Sequence, residues 1–239
     1  MSSLIVSLDP VAALRAVGGG AEPDPAPAAV LAELGGADGV AVRLRVQGPV
    51  SAKDLFVISG VVKTRLVVET PPRPEQIDRV VETRPWMAVL VGEPAGADAA
   101  APLDLRDDTI DFSDIVARLQ GSSIWAAALI QPDQDQAKAA AKLGLDAVLL
   151  DCRQYSLAAT GAETEITLEA IARAAQTAAK AGLEVLCGGG LDLRNLRMLA
   201  ELDVADGFLI GRALTARALL VGMQQATRDL AALVAVSSE

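Results

Sequence analysis

The sequence predicts an α/β fold of the (β/α)8, or TIM-barrel, class, formed by one domain over residues 1–239. Eight short apolar runs alternate with helical patterns, which favours a parallel sheet. The length of 239 residues is close to the ~250 typical of one closed barrel. The last two apolar runs end in glycine before a helical pattern, as in the phosphate sites of many such barrels. A doubly wound open sheet is the alternative, and it is weaker because no Gly-x-Gly-x-x-Gly motif follows the first run.

The predicted strands are short runs rich in Ala, Val, Leu and Ile. Three of them follow the same joint, in which a glycine ends a helix and a polar turn residue precedes the strand, at Gly36, Gly144 and Gly182. The eight runs cover residues 4–8, 40–45, 66–69, 87–91, 124–130 and 147–150, and the segments before Gly188 and Gly211.

The predicted helices combine apolar residues at 3.6-residue spacing with signals for a helix start. Ser51 and Asp54 resemble a capping box, and Pro74 suits the first turn of a helix. The helices cover residues 28–34, 52–58, 74–81, 114–119, 133–143, 168–179 and 214–234. The predicted loops are residues 18–27, the segment around Tyr155 and an irregular acidic segment at about 94–111.

Composition excludes several classes of function. The net charge of −10 argues against binding to nucleic acid or anionic membranes, which require basic patches. No apolar run approaches the ~18 residues of a membrane span and no signal peptide opens the chain, so we expect a cytoplasmic protein. The chain has no histidine, which removes Ser-His and Cys-His nucleophiles and most zinc and non-haem iron sites. We expect no metal and no cofactor.

Charged side chains are predicted at the carboxyl ends of the first three strands, where barrels of this class carry their function. Asp9, Arg43, Arg45 and Glu69 would form a charged mouth. If Glu69 is partly buried, it is the best remaining general base. A structural ion-pair ring that closes this end of the barrel is the equally weighted alternative.

Other features favour structural interpretations. Cys152 and Cys187 end adjacent predicted strands, and burial as small apolar side chains is favoured over a nucleophile or a redox pair. The aspartates between residues 104 and 114 lack the spacing of a calcium loop, which favours a solvated face. The terminal helix, with Leu219 and Leu220, has more apolar surface than one barrel contact needs, which predicts self-association.

An ordered set of short motifs runs along nearly the whole chain. These motifs are Ser7-Leu8-Asp9, Leu14-Arg15, Pro23-Asp24-Pro25, Gly36-Ala37-Asp38-Gly39, Arg43-Leu44-Arg45, Val68-Glu69, Arg84-Pro85, Gly188-Gly189-Gly190-Leu191 and Ile210-Gly211-Arg212-Ala213. The set resembles the pyridoxine 5′-phosphate synthase family. The resemblance implies a (β/α)8 barrel, usually an octamer, that condenses 3-amino-2-oxopropyl phosphate with 1-deoxy-D-xylulose 5-phosphate to give pyridoxine 5′-phosphate.

The resemblance also implies roles for individual residues. Glu69 matches the family's catalytic glutamate, and Asp9 and Arg45 match substrate-binding residues. Arg43 and Gly189 stand where the family has catalytic histidines, and an arginine, which is always protonated, cannot act as a base.

Further positions match or depart from the family's ligand-binding set. Gly190 matches a phosphate-binding glycine, Ser7 stands where an asparagine is usual, and Asp206 with Gly207 stands where the family has a Gly-His pair. The candidate ligand-binding residues are Ser7, Asp9, Arg45, Gly188, Gly189, Gly190, Gly207 and Gly211.

These departures predict a divergent family member without the usual synthase activity, because the catalytic histidine positions are Arg43 and Gly189. Such a protein would bind a small phosphorylated or anionic ligand, or serve as an oligomeric scaffold or regulator. The alternative is an active pyridoxine 5′-phosphate synthase, or a related enzyme with Glu69 as base. A pocket that holds Glu69 and both arginines favours an enzyme, whereas a collapsed mouth favours a scaffold.

Overall fold

Eight parallel strands close into a barrel in the order of the sequence, and the last strand pairs with the first. The computed structural model describes residues 2–93 and 100–236. The strands are β1 (Ser3–Ser7), β2 (Gly39–Arg43), β3 (Arg65–Thr70), β4 (Met87–Leu90), β5 (Trp125–Ile130), β6 (Ala147–Asp151), β7 (Glu184–Gly188) and β8 (Gly207–Ile210). The closed barrel confirms the predicted fold class, and the open-sheet alternative is wrong.

The helices connect successive strands. They are α1 (Asp9–Gly18), α2 (Pro25–Leu34), α3 (Ala52–Val61), α4 (Pro74–Thr83), α5 (Phe112–Gly121), α6 (Gln134–Lys142), α7 (Arg153–Leu157), α8 (Gly161–Lys180), α9 (Leu196–Ala200), α10 (Arg212–Val221) and α11 (Met223–Val236). The capping box at the start of α3 is confirmed, because Ser51 and Asp54 each accept the backbone N–H of the other. Among the described helices, none has the length and apolar composition needed to cross a membrane.

The structure differs from the sequence prediction at three helices. Pro10, which interrupts the first apolar run, occupies the first turn of α1, where its missing N–H costs nothing. Tyr155 lies in the short helix α7 and not in a loop, and its hydroxyl donates to the carbonyl of Asn195 at 2.6 Å. The single helix predicted over 214–234 is two helices, because Gly222 has a φ of 82° and ends α10.

The predicted irregular segment falls partly within the structure. Residues 94–99 lie outside the described residues. Residues 100–111 form no helix or strand beyond an isolated bridge between Gly92 and Ala101.

The two faces of each strand pack in different layers, because successive side chains point to opposite faces. Ile5, Ala41 and Leu149 point inward and fill the barrel, whereas Val6 and Val40 point outward and pack in the layer beneath the helices. Aromatic residues make up only 3% of the chain, so aliphatic side chains form most of both layers.

Aspartates link neighbouring strands at the amino-terminal face of the barrel. The carboxylates of Asp38, Asp146 and Asp206 precede β2, β6 and β8, and each accepts the N–H of the second residue of the preceding strand at 2.8 Å. Two of these aspartates belong to the recurrent joints after Gly36 and Gly144. The polar residue of the joint is therefore an acceptor that joins one strand to the next.

Asp206→Ala should destabilise the protein, because it removes the acceptor of the buried Val185 N–H. A buried donor without an acceptor costs about 1–3 kcal/mol, measurable as a lower free energy of unfolding in urea. Asp108→Ala replaces an exposed aspartate and is the control, with an expected change below about 0.5 kcal/mol. Equal stability of the Asp206→Ala variant and the unmodified protein would contradict the linking role.

Candidate functional site

An open cavity of about 660 Å³ lies at the carboxyl ends of the strands. A volume between ~300 and 1,000 Å³ is typical of pockets for small molecules. The floor is apolar and includes Leu129, Leu149 and Leu209. The charged, hydroxyl and glycine residues of its walls include Ser7, Asp9, Arg43, Arg45, Glu69, Asp151, Arg153, Gly188, Gly189, Gly190, Gly211 and Arg212.

Strand alternation explains why these side chains meet. In β2, Ala41 packs inside the barrel, and Arg43, two residues further on, lines the cavity. Val67 and Glu69 repeat this step in β3. Because the side-chain period of a strand is two residues, each inward row changes from apolar to polar at the same end of the barrel.

Arg43 lies between two carboxylates. Its Nε is 3.0 Å from Glu69 Oε2 and 3.5 Å from Asp9 Oδ2. Its backbone N–H donates to Asp9 Oδ1 at 2.6 Å. The side chain of Glu69 is 4% exposed, and those of Asp9 and Arg43 are 15% exposed. One buried ion cluster thus joins the ends of the first three strands.

The neighbours of the Asp9 carboxyl group offset only part of the free-energy cost of burying its charge. Burial and the neighbouring Glu69 carboxylate raise the pKa of Asp9 to about 6, and the charge and backbone N–H of Arg43 and the charge of Arg45 offset only part of this effect. Asp9 Oδ2 is buried and accepts no hydrogen bond from the described residues. The cavity therefore holds a carboxyl group that titrates near pH 6 in a chain without imidazole.

The glycine loop after β7 packs tightly against its neighbours. Gly189 and Gly190 have φ values of 100° and 74°. A Cβ on Gly189 would lie 2.8 Å from Asp151 Oδ1, and one on Gly190 would lie 2.1 Å from Ser156 Oγ. In this chain a side chain at either position would have to adopt a positive φ and displace the neighbouring Asp151 or Ser156 side chain.

The start of α10 opens onto the same cavity. Gly211 packs against β1, where an added Cβ would lie 2.9 Å from Ser7 Cβ. Arg212 is the first residue of α10 and is exposed at the cavity. Helix N-termini carry unpaired N–H groups and a partial positive charge, which favour an anion.

Sequence reasoning missed Arg153. Its Nε lies 2.8 Å from Asp151 Oδ1, and its Nη2 lies 2.6 Å from Asp151 Oδ2, so that the two side chains form a forked ion pair in the cavity wall. The available signal was its position two residues after a strand that ends in an acid. Because the sequence predicted a loop around Tyr155, Arg153 was not assigned to the cavity wall.

Gly207 is not a cavity residue, and its predicted role in ligand binding is wrong. It is the first residue of β8, at the amino-terminal face, and β8 runs from there to the mouth. A Cβ on Gly207 would lie 2.3 Å from Ser3 Oγ and 2.9 Å from Leu186 Cδ2. Asp206 lies at the same face, remote from an anion in the mouth, and accepts the N–H of Val185.

The two cysteines pack in the layer between strands and helices and do not line the cavity. Both are fully buried. A hydrogen bond with Cys187 and burial raise the pKa of Cys152 well above its usual value. Because the thiolate is the reactive form, these features support the packing interpretation.

The fold and site define a (β/α)8 barrel with ionisable side chains and glycine loops around its mouth. A family model described as pyridoxal phosphate biosynthesis protein PdxJ matches residues 4–236. The chain belongs to this family, whose curated relatives are pyridoxine 5′-phosphate synthases. The relative from Geobacter metallireducens is 35% identical over 236 residues, which cover 98% of this chain and 99% of the relative. The relative from Geobacter sulfurreducens is 34% identical over the same length.

Solved structures with low sequence identity share the fold. A structure described as native KDPGal has a TM-score of 0.63 and 18% identity, over 98% of this chain and 95% of that one. Phosphoribosyl anthranilate isomerase from Thermus thermophilus has a TM-score of 0.60 and 16% identity, over 98% of both chains. These similarities bear on the fold alone.

Asp9→Asn should change how stability depends on pH. The pKa of Asp9 in the folded protein, about 6, is above the ordinary value of 3.8, so the ionised form costs folding free energy. This cost is absent below about pH 4, grows as the pH rises to about 6, and is complete above it. Asparagine removes the cost, so the variant should gain up to about 3 kcal/mol relative to the unmodified protein between pH 4 and pH 7.

The measurement is the free energy of unfolding of both proteins in urea across this pH range. Asp108→Asn, at an exposed position, is the control and should show no such gain. A stability difference between Asp9→Asn and the unmodified protein that stays constant with pH would contradict the assignment.

Proposed function

We propose that this protein binds a small phosphorylated ligand in the barrel mouth and does not carry out the family's usual condensation. The observation that carries the proposal is one open cavity that joins the Arg43 ion cluster to the glycine loops and Arg212. The names of the curated relatives support a phosphorylated ligand. The cavity holds Glu69, Arg43 and Arg45, which favours an enzyme over a scaffold, so a related reaction with Glu69 as base is the second candidate function.

The phosphate would lie between the glycine loop after β7 and the N-terminus of α10. Glycine allows the backbone at 188–190 to approach a ligand closely. Helix α10 has ten residues, and its first residues line the cavity. Within the described part of the chain, the Arg212 guanidinium has no ion-pair or hydrogen-bond partner, so its charge is available to an anion.

The ion cluster supports the loss of the usual condensation. Arg43 stays protonated and cannot accept a proton, and Gly189 has no side chain. Glu69 Oε2 accepts a hydrogen bond from Arg43 Nε at 3.0 Å, so this oxygen is already engaged by a neighbouring side chain. Positioned acid–base groups contribute roughly 10²–10⁴-fold each, so losing two of them removes most of the rate.

Exposed apolar side chains support self-association, as the resemblance implies. Leu219 and Leu220 on α10 are 71% and 85% exposed. Burial of such side chains between copies would remove apolar surface from water. An assembly of several identical chains is therefore part of the proposal.

Arg212→Gln should weaken the binding of inorganic phosphate and glycerol 3-phosphate by about tenfold, because it removes a charged donor at the helix N-terminus. Isothermal titration calorimetry of both ligands measures the change. Arg79→Gln, on the exposed face of α4, is the matched control and should bind like the unmodified protein. Binding that Arg212→Gln leaves unaltered would contradict the proposed phosphate position.

The unmodified protein should form no pyridoxine 5′-phosphate above background from 3-amino-2-oxopropyl phosphate and 1-deoxy-D-xylulose 5-phosphate. Product can be followed by chromatography over hours at high protein concentration. A relative from Geobacter provides the positive control. Turnover at an ordinary enzymatic rate would contradict the proposal and favour catalysis by Glu69 with the arginines.

A further inference from the structure

Arg153 is held rigidly in the cavity wall. The carboxylate of Asp151, whose side chain is 6% exposed, accepts hydrogen bonds from Nε and Nη2 of Arg153 and forms a forked ion pair with it. The Arg153 side chain is 32% exposed, and it lines the cavity. Its Nη1 makes no hydrogen bond within residues 2–93 and 100–236. Because one edge of the guanidinium is already fixed, the binding of an anion at its other edge costs little additional conformational entropy.

The Asp151–Arg153 pair occupies the space beside Gly189 that a side chain there would need. A Cβ on Gly189 would lie 2.8 Å from Asp151 Oδ1 and 3.1 Å from Arg153 Cγ. The absence of a side chain at 189 and the presence of the ion pair are therefore sterically coupled. A guanidinium faces the ligand space where a side chain from the β7 loop would otherwise project.

Arg153 faces the ion cluster on the other side of the cavity. The hydrogen bonds to Asp151 and the charge of that carboxylate raise the pKa of Arg153, whereas burial and the charge of Arg43 oppose this effect. Arg153 and Arg43 line the same cavity, together with Arg45 and Arg212, above an apolar floor that includes Leu129 and Leu149. The charge of Arg43 is already shared between the Asp9 and Glu69 carboxylates, so the attraction for an anionic group at this side of the cavity comes from Arg153.

We propose that Arg153 binds a second oxyanion of the ligand, so that the ligand of this cavity carries another anionic group in addition to its phosphate. The proposal rests on the proposed function, in which the phosphate lies at Arg212 and the glycine loops. The second group is a carboxylate or a second phosphate, since both accept hydrogen bonds from a guanidinium.

Two matched probes test this proposal by calorimetry. Glycerol 3-phosphate and 3-phosphoglycerate have the same carbon number, and the second has a carboxylate in place of a hydroxymethyl group. The unmodified protein should bind 3-phosphoglycerate about tenfold more tightly. Glycerol 1,3-bisphosphate, compared with glycerol 3-phosphate, tests a second phosphate in the same way.

Arg153→Gln should abolish this preference, so that the probes bind with about equal affinity, and should leave the affinity for glycerol 3-phosphate unchanged. Because this variant leaves Asp151 buried without its partner, the double variant Asp151→Asn with Arg153→Gln is made in parallel and should give the same result. Arg153→Lys keeps the charge without the fork and should give an intermediate preference. Arg173→Gln, on the exposed face of α8, is the control and should keep the full preference.

The outcomes separate the two proposals. No binding of any phosphate probe by the unmodified protein would overturn the proposed function, and this inference with it. Binding of glycerol 3-phosphate without a preference for either doubly anionic probe would overturn the inference alone. A preference that persists in both the single and the double variant at position 153 would also overturn it.

Discussion

The Arg43 guanidinium, held between the buried carboxylates of Asp9 and Glu69, is the interaction on which the mouth of this barrel depends. Two neighbouring buried carboxylates repel each other and are costly to desolvate, and a single guanidinium between them offsets much of that cost. The backbone N–H of Arg43 binds Asp9 as well. The ends of β1, β2 and β3 are thereby fixed together. Arg43 does not fully offset the cost of burying the ionised Asp9 carboxylate, and the pKa of Asp9 is raised as a result.

The polar lining of the cavity includes several guanidinium groups and no imidazole. Guanidinium groups bind oxyanions strongly but neither give nor take a proton near neutral pH. Arg43, Arg153 and Arg212 line one cavity, and Gly189 contributes only backbone. Burial and the neighbouring Glu69 carboxylate raise the pKa of Asp9 to about 6. Guanidinium groups suit the cavity to holding an anion, as the proposed function requires.

The polar residues at the two faces of the barrel make different contacts. At the amino-terminal face, Asp38, Asp146 and Asp206 join neighbouring strands through backbone hydrogen bonds. At the carboxyl-terminal face, the same strands end in charged and glycine residues around an open cavity. A residue's place along its strand therefore decides which role it has. Gly207 and Gly211 are four residues apart and lie at opposite faces.

The sequence by itself determined the barrel, because strand and helix periodicity, turn residues and chain length are local properties. It also located the strand ends at which Asp9, Arg43 and Glu69 were expected, but it did not show whether Arg43 points into the barrel. Only the tertiary structure decided which strand-end residues meet. Gly207 was wrongly assigned to the mouth because the sequence alone does not show at which end of a strand a neighbouring glycine lies. Arg153 was missed because its role depends on its contact with Asp151 and on the space beside Gly189, on the adjacent strand.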